Sequence, residues 1–455
     1  MTLQTQAIDD HRINPWALFA LMLGVIIVTL DISLTSTAIP AIAKGLSTEP
    51  ADTIWIINIY YLAVIAVLLP LGALGEIYGH RRVFLSGLIV FAAGSLASAL
   101  AQTLPALMAG RGLLGLGAAA VSATTPALIR ELYPPSKLGR GLGLYAVIVG
   151  IAFTAGPTVA SIILSVGSWQ LLFLPAAPLA LVAAVMAYTG LPVTPRNIRP
   201  FDPLAAAVCA GMFASLLVAV SGVAHLSWPW VVFFFTMTLL AGYWLRRRET
   251  GQAAPVFALD LFEIRFFSLS VVTAVSAFAV QGLAFVVLPF LFIAKLGYSQ
   301  VQAGFLLIPW PATLVLVTFV AAKLVERTSP AVLGGLGLAI VALGLLSLVN
   351  LPAGSGIYDL AWRLSVCGLG YGLFQAPNMV ALMNSAPRNR SGSAGGILAT
   401  ARLLGQAIGA TIVAFCLSVW LDQGILVALW LGVCLATFGA LVSLLRMTSY
   451  AKHQA

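Results

Sequence analysis

Asp31 stands in the middle of an apolar run, about 24 Å along a helix that begins at Pro15 and rises 1.5 Å per residue. It is the only acidic residue deep in any predicted span. An ionised carboxylate at that depth costs about 2.5–3.5 kcal/mol on insertion scales, so it is expected either to stand protonated or to face a wet cavity. Both conditions suit a group that takes up and releases a proton. Thr29, Ser33, Thr35 and Ser36 surround it, and Thr35, one turn on, is placed to hydrogen-bond the carboxylate. The plainer alternative is an aspartate merely tied to those hydroxyls. Arg111, in LMAGRGLLGLGAAA, keeps its charge at any physiological pH and needs acceptors or water. It reads equally as a fixed cation that biases a nearby carboxylate or as a structural ligand for backbone carbonyls. Arg363 follows Asp359 by one helical turn and reads as a clasp, and Arg402, near the end of a late apolar run, reads as an anchor.

Other polar groups fall where lipid should exclude them. Gln281, Gln375 and Asn378 put amides inside apolar runs, and Tyr60, Tyr61, Phe285 and Trp310 add aromatic surface. Gathered in one cavity, they would suit an amphipathic, cationic small-molecule substrate through cation–π contact and modest hydrogen bonding; taken singly, each aromatic is better explained by packing. Gly150 and the Gly156-Pro157 pair interrupt another run, where proline removes a helix hydrogen bond and glycine admits a close neighbour. The chain has no GxxxxGK[ST] and no HExxH, and His11, His80, His225 and His453 are scattered. Cys209, Cys367, Cys416 and Cys434 lack metal or redox spacing and read as small core residues. No enzyme, metal or cofactor is expected, and energy must come from an ion gradient or from the substrate's own concentration.

The elements that carry these residues must be membrane helices. The chain of 455 residues is 61% hydrophobic and 8% charged, against roughly 25% charged in a soluble domain. Apolar runs of spanning length fall near 15–39, 54–74, 83–101, 104–126, 141–165 and 169–190, then 203–224 and 228–245, then 266–292, 301–323, 331–350, 358–383, 394–419 and 424–445. The arrangement is six, two and six. It divides the chain into a tail (1–14), a first bundle (15–190), an inserted hairpin with its linkers (191–265), a second bundle (266–446) and a closing tail (447–455). With the N-terminus cytoplasmic, only Lys44 and Lys295 of the 23 Lys and Arg lie outside, Arg111, Arg363 and Arg402 lie within spans, and the remainder sit inside. That bias obeys the positive-inside rule, places both termini in the cytoplasm, and accounts for the net charge of +9 through the lipid bilayer and not through nucleic acid. Trp169, Trp228 and Trp230 at span edges fit interfacial belts. Two related halves around an insertion suit a transporter that rocks two bundles about a central site. The loop GALGEIYGHRRV has an echo at the matching place of the second half, where Glu326 precedes Arg327.

That loop, Gly72 to Arg82, resembles the cytoplasmic signature GxLaDrxGrrx of the major facilitator superfamily, with Glu76 for the usual Asp and Ile77 for the usual Arg. LDISLTSTAIP resembles the first-helix signature lDxTivNvAlP of the family's 14-span drug:proton antiporter branch, and LMAGRGLLGLGAAA resembles its fourth-helix signature lxxxRxxqGxgaa. AFTAGPTVAS is similar to the antiporter signature gxxxGPxxGG, while LPFLFIAKLGYSQVQAGFLLIP and ATARLLGQAIGATI resemble later helices of the same branch. The resemblance implies an all-α fold of two six-helix bundles plus an inserted two-helix hairpin, fourteen transmembrane helices in all. It implies a monomer in the bacterial inner membrane that exports amphipathic, cationic drugs in exchange for protons, driven by the proton gradient with no cofactor. It implies that Asp31 and Arg111 couple proton and substrate, that Gly72, Glu76, Gly79, Arg81 and Arg82 form a conformational lock, and that Gly150, Gly156 and Pro157 kink an antiporter helix. Export of an endogenous metabolite, amino acid or lipid is the first alternative on this fold, and a receptor or scaffold that has lost transport is the second.

Overall fold

The computed structural model describes residues 14–48, 53, 55–134, 137–194, 202–223, 227–249, 258–325, 327–352, 354–387, 390–420 and 423–454. The expected N-terminal tail and Glu326 lie outside the described residues, apart from Asn14. The first six helices are α1 (Pro15–Leu46), α2 (Trp55–Tyr78), α3 (His80–Ala99), α4 (Leu104–Leu132), α5 (Leu138–Val166) and α6 (Ala176–Gly190). A hairpin of α7 (Pro203–Gly222) and α8 (Trp228–Glu249) follows. The last six are α9 (Arg265–Phe290), α10 (Pro309–Leu324), α11 (Pro330–Val349), α12 (Ile357–Ser385), α13 (Ser391–Val419) and α14 (Gly424–Gln454).

The helix starts are written locally. Asn14, Thr103, Asp202 and Ser329 each accept a hydrogen bond from a backbone N–H of the first turn, and each is followed within two residues by a proline, whose missing N–H costs nothing there. Several runs that read as single spans are broken at proline. A short helix, Gln300–Leu306, opened by a Ser299–Gln302 capping box, is separated from α10, which begins at Pro309. The run before α6 is a 3₁₀ turn, Trp169–Leu172, that ends ahead of Pro175. Helix α14 runs on to Gln454, through the stretch expected to be a tail.

Thirteen helical stretches among the described residues are long and apolar enough to cross a membrane. Helix α12 is the long helix that does not qualify, diluted by Gln375, Asn378 and glycines, and it is packed among α9, α10 and α11. In the first bundle α1 packs on α5 and α6, α2 on α4, and α3 on α4 and α6. The second bundle repeats each contact eight helices later: α9 on α13 and α14, α10 on α12, and α11 on α12 and α14. The halves are therefore two copies of one packing scheme. They meet where α2 and α4 touch α13, and where α5 touches α10 and α12. The hairpin rests by α7 on α2 and α13, and α8 turns apolar side chains such as Phe235, Leu239 and Leu240 outward. Trp228 and Trp230 are exposed as an interfacial belt requires, whereas Trp169 is buried edge-on to Phe173, filling space left by Gly45. Cys209, Cys367 and Cys416 are buried, but Cys434 is exposed and is not a core residue.

Candidate functional site

Asp31 and Arg111 meet across the first bundle, Oδ2 to Nη1 at 2.6 Å, with 3% and 1% of their side-chain surface exposed. Helix α1 supplies the acid and α4 the base. The guanidinium is packed between rings, 4.6 Å from the centre of Tyr60 and 5.6 Å from that of Phe173, and its Nε reaches the Ile56 carbonyl at 3.5 Å. Thr35 does not serve the carboxylate: its hydroxyl donates to the backbone oxygen of Asp31 at 2.8 Å, the usual bond of a threonine to the preceding turn. Ser33 has a different task. Pro157 has no N–H to offer the Phe153 carbonyl four residues back, and the Ser33 hydroxyl donates to that carbonyl across the α1–α5 contact. A Cβ on Gly156 would collide with Ser33, so the Gly156-Pro157 pair both frees an acceptor and lets α1 come close enough to satisfy it.

Beside this pair a cavity runs between the two bundles, bordered on the first by Thr29, Tyr60, Ser122, Gly150 and Phe153. From the second bundle come Gln281, Phe285, Trp310, Gln375, Arg402 and Gln406. Tyr60 is shared: its ring lies under Arg111 and it also borders the cavity, so one side chain touches both the ion pair and the space where a ligand would sit. Asp31 and Arg111 themselves are not on the wall. The second-bundle wall is aromatic, with Phe285 5.6 Å from Trp310 and 5.3 Å from Phe153, and Trp310 6.4 Å from Tyr371. Gln281 Oε1 accepts from the Tyr371 hydroxyl at 3.3 Å and from Gln406 Nε2 at 3.2 Å. Free volume in the cavity is about 30 Å³, room for about one water and far below the roughly 300 Å³ at which drug-sized pockets begin. The conformer is closed around its centre.

The bundles also touch beyond the cavity at both ends. At the end that carries the α2–α3 loop, Glu76 Oε1 accepts from the backbone N–H of Ser393 at 3.2 Å and from its hydroxyl at 3.1 Å, so an acid of the first bundle sits on the N-terminus of α13 in the second. Gly395 and Gly396 bring that helix against Pro126 and Leu69. At the opposite end Pro157 lies beside Gly304 of the short helix. Of the other loop residues, Gly79 has φ +96°, which glycine adopts without strain, and Gly72 is buried. Arg81 donates to the Tyr188 carbonyl and lies over the Tyr188 ring, fastening α3 to α6, and Arg82 is exposed.

The expected cavity residues therefore divide. Tyr60, Gln281, Phe285, Trp310 and Gln375 share the cavity, while Tyr61 packs edge-on against Tyr60 without lining it. Asn378 belongs to a separate cluster, where its Oδ1 accepts from Arg446 Nη1 at 2.6 Å and Ser270 Oγ stands 3.1 Å from the same nitrogen. Arg363 is bound to Asp359 at 3.3 Å and to the Ser347 carbonyl, the clasp its spacing suggested, now tying α12 to α11. Arg402 is not an anchor near a membrane surface but part of the cavity wall. Phe153, Gln406 and Tyr371 were not singled out from sequence; Gln406 lies in the ATARLLGQ stretch, the one signal that could have found it. Among the described lining residues there is no acid, so a cationic ligand would find aromatic faces and amides but no counter-charge.

The family model described as Major Facilitator Superfamily matches residues 21–410. The uncharacterized transporter YebQ of Escherichia coli (strain K12) is 41% identical over 95% of each chain. The multidrug resistance protein Stp of Mycobacterium tuberculosis (strain CDC 1551 / Oshkosh) is 30% identical over 90% of this chain and 77% of its own. Among solved structures, the human organic anion transporter MFSD10 superposes with a TM-score of 0.69 over 94% of this chain and 99% of its own, and at 15% identity that likeness shows the fold alone.

Proposed function

The chain belongs to the Major Facilitator Superfamily, and on that footing we propose that it exports amphipathic small molecules in exchange for protons, by alternating access of the central cavity to the two membrane faces. One observation carries the proton part: the Asp31–Arg111 pair is sealed from solvent but touches the cavity wall through Tyr60. A proton placed on Asp31 removes one charge of the pair and leaves Arg111 with the Tyr60 and Phe173 rings and a carbonyl. The first bundle then has two electrostatic states that differ by one proton, the minimum a coupled carrier needs. Glu76 on the N-terminus of α13 holds the loop end shut in one conformer, and the reading requires that contact to open in the other.

The multidrug resistance relative supports a drug-like substrate, and the aromatic wall is of the kind that accepts varied apolar bodies. In this reading the protein is a monomer of the bacterial inner membrane, with six, two and six spans and both termini cytoplasmic. The test is substrate efflux from proteoliposomes under an imposed pH gradient, with counterflow at equal pH as the control. Asp31→Asn is expected to lose gradient-driven efflux by at least about a hundredfold while keeping counterflow. Normal gradient-driven efflux in that variant would move the coupling site elsewhere.

A further inference from the structure

We propose that the central cavity takes its substrate as an organic anion, with Arg402 as the counter-charge; the proposal rests on the transport reading above and names its substrate class. Arg402 carries the only full charge on the described cavity wall. It has no acid within 4 Å and no hydrogen bond among the described residues, in contrast to Arg111, Arg363 and Arg390, each of which is bound to an aspartate. Gln281 Oε1, an acceptor on the same wall, is already engaged, since it takes hydrogen bonds from Tyr371 and Gln406. Asp31 cannot compensate Arg402, because its carboxylate is held by Arg111.

Two further donors point the same way. Trp310 Nε1 and the Tyr60 hydroxyl are fully buried on the cavity wall with no hydrogen-bond partner. A buried donor without an acceptor is costly, and a ligand that brings an acceptor relieves that cost. A wall with two orphan donors, a half-buried guanidinium that has no acid beside it, and no acid of its own is short of negative charge. A ligand that brings a carboxylate or sulfonate supplies it, and the rings of Phe153, Phe285 and Trp310 would take its aromatic body. The one orphan acceptor, Gln375 Oε1, belongs to an amide that can turn its nitrogen to the ligand instead. Export of a monoanion in exchange for a proton moves two charges in the same electrical sense, so a membrane negative inside drives both fluxes.

A charge series on one ring system tests this by binding alone, apart from any transport assay. Purified full-length protein in lipid nanodiscs is titrated with 1-naphthaleneacetate, the neutral 1-naphthaleneacetamide and the cationic 1-naphthylmethylammonium, and the thermal unfolding midpoint is read. Expected is half-maximal stabilisation by the acid at about a tenfold lower concentration than by the amide, with the ammonium weakest. Arg402→Gln is expected to erase the difference between acid and amide, and Arg402→Lys to retain part of it. Trp310→Phe keeps an aromatic ring and removes one donor, so it is expected to weaken the acid more than the amide. Absence of binding by the acid, a preference for the ammonium, or an acid preference that survives Arg402→Gln would each overturn the proposal. Proton coupling is read separately through Asp31→Asn, so either reading can fail while the other stands.

Discussion

Arg111 and Arg446 are both sealed from solvent, at 1% and 0% exposure, one in each bundle, and their partners differ in kind. Arg111 is held by a carboxylate, Arg446 by the neutral oxygens of Asn378, Ser270 and Ser443. The first arrangement can be undone by one proton. The second contains nothing that titrates near neutral pH, and Gly334 leaves the room it needs by having no Cβ to meet the guanidinium. Buried positive charge thus serves two purposes here: beside the cavity it is switchable, and at the far end of the second bundle it pins α9, α12 and α14 together.

The largest expected effect tests the switchable pair from both sides. Asp31→Ala strands a guanidinium that cannot lose its charge and is expected to cost about 3–5 kcal/mol. Arg111→Met should cost clearly less, because Asp31 can neutralise itself by taking a proton; the double variant should recover most of the loss. Unfolding measured for all three would break the comparison if the two single variants lost equal stability. Next is Asn378→Ala, which removes one acceptor of a charged hydrogen bond and is expected to cost about 1.5–3 kcal/mol. Its pH dependence of transport should match the unsubstituted protein, and a shifted profile would mean that the second arginine also takes part in coupling.

The smallest effect lies outside the membrane. Asp202 caps α7 and is bound to Arg248 at 2.7 Å; that hydrogen bond, with help from the Ala205 N–H, holds its carboxyl below the usual carboxylate range. A depressed folded value gives stability that is present above the unfolded value near about 4 and is lost as pH falls through the folded one. Asp202→Asn should therefore lower the unfolding midpoint barely measurably at pH 7, by a gap that narrows as pH falls below about 4, with transport unchanged. A gap that persisted in acid would assign the effect to something other than ionisation.

The membrane makes some of this site easy to read and hides the remainder. Asp31 and Arg111 announce themselves because charge in an apolar run is costly, but nothing in a separation of 80 residues says that they touch. Tyr61 and Asn378 have the right chemistry and point elsewhere, which a list of polar residues within spans cannot reveal. Arg402 was misplaced by a boundary: α13 starts at Ser391, so Arg402 sits about 17 Å along it, near mid-depth and not at its end. Arg446 follows the last apolar run in the sequence, yet α14 carries it inward against Ser270 and Asn378. The long apolar helices are plain in the hydropathy, whereas the breaks at Pro175 and Pro309 need the backbone.

Because α7 bears on α2 and α13 at once, any rocking of one bundle against the other must carry a lipid-coated lever with it. Helix α8 presents Phe235, Leu239 and Leu240 to the acyl chains, so the lever moves against viscous drag instead of against protein. The turnover rate then becomes a property of the membrane as well as of the chain, slowing in stiff, saturated lipid even where substrate is plentiful.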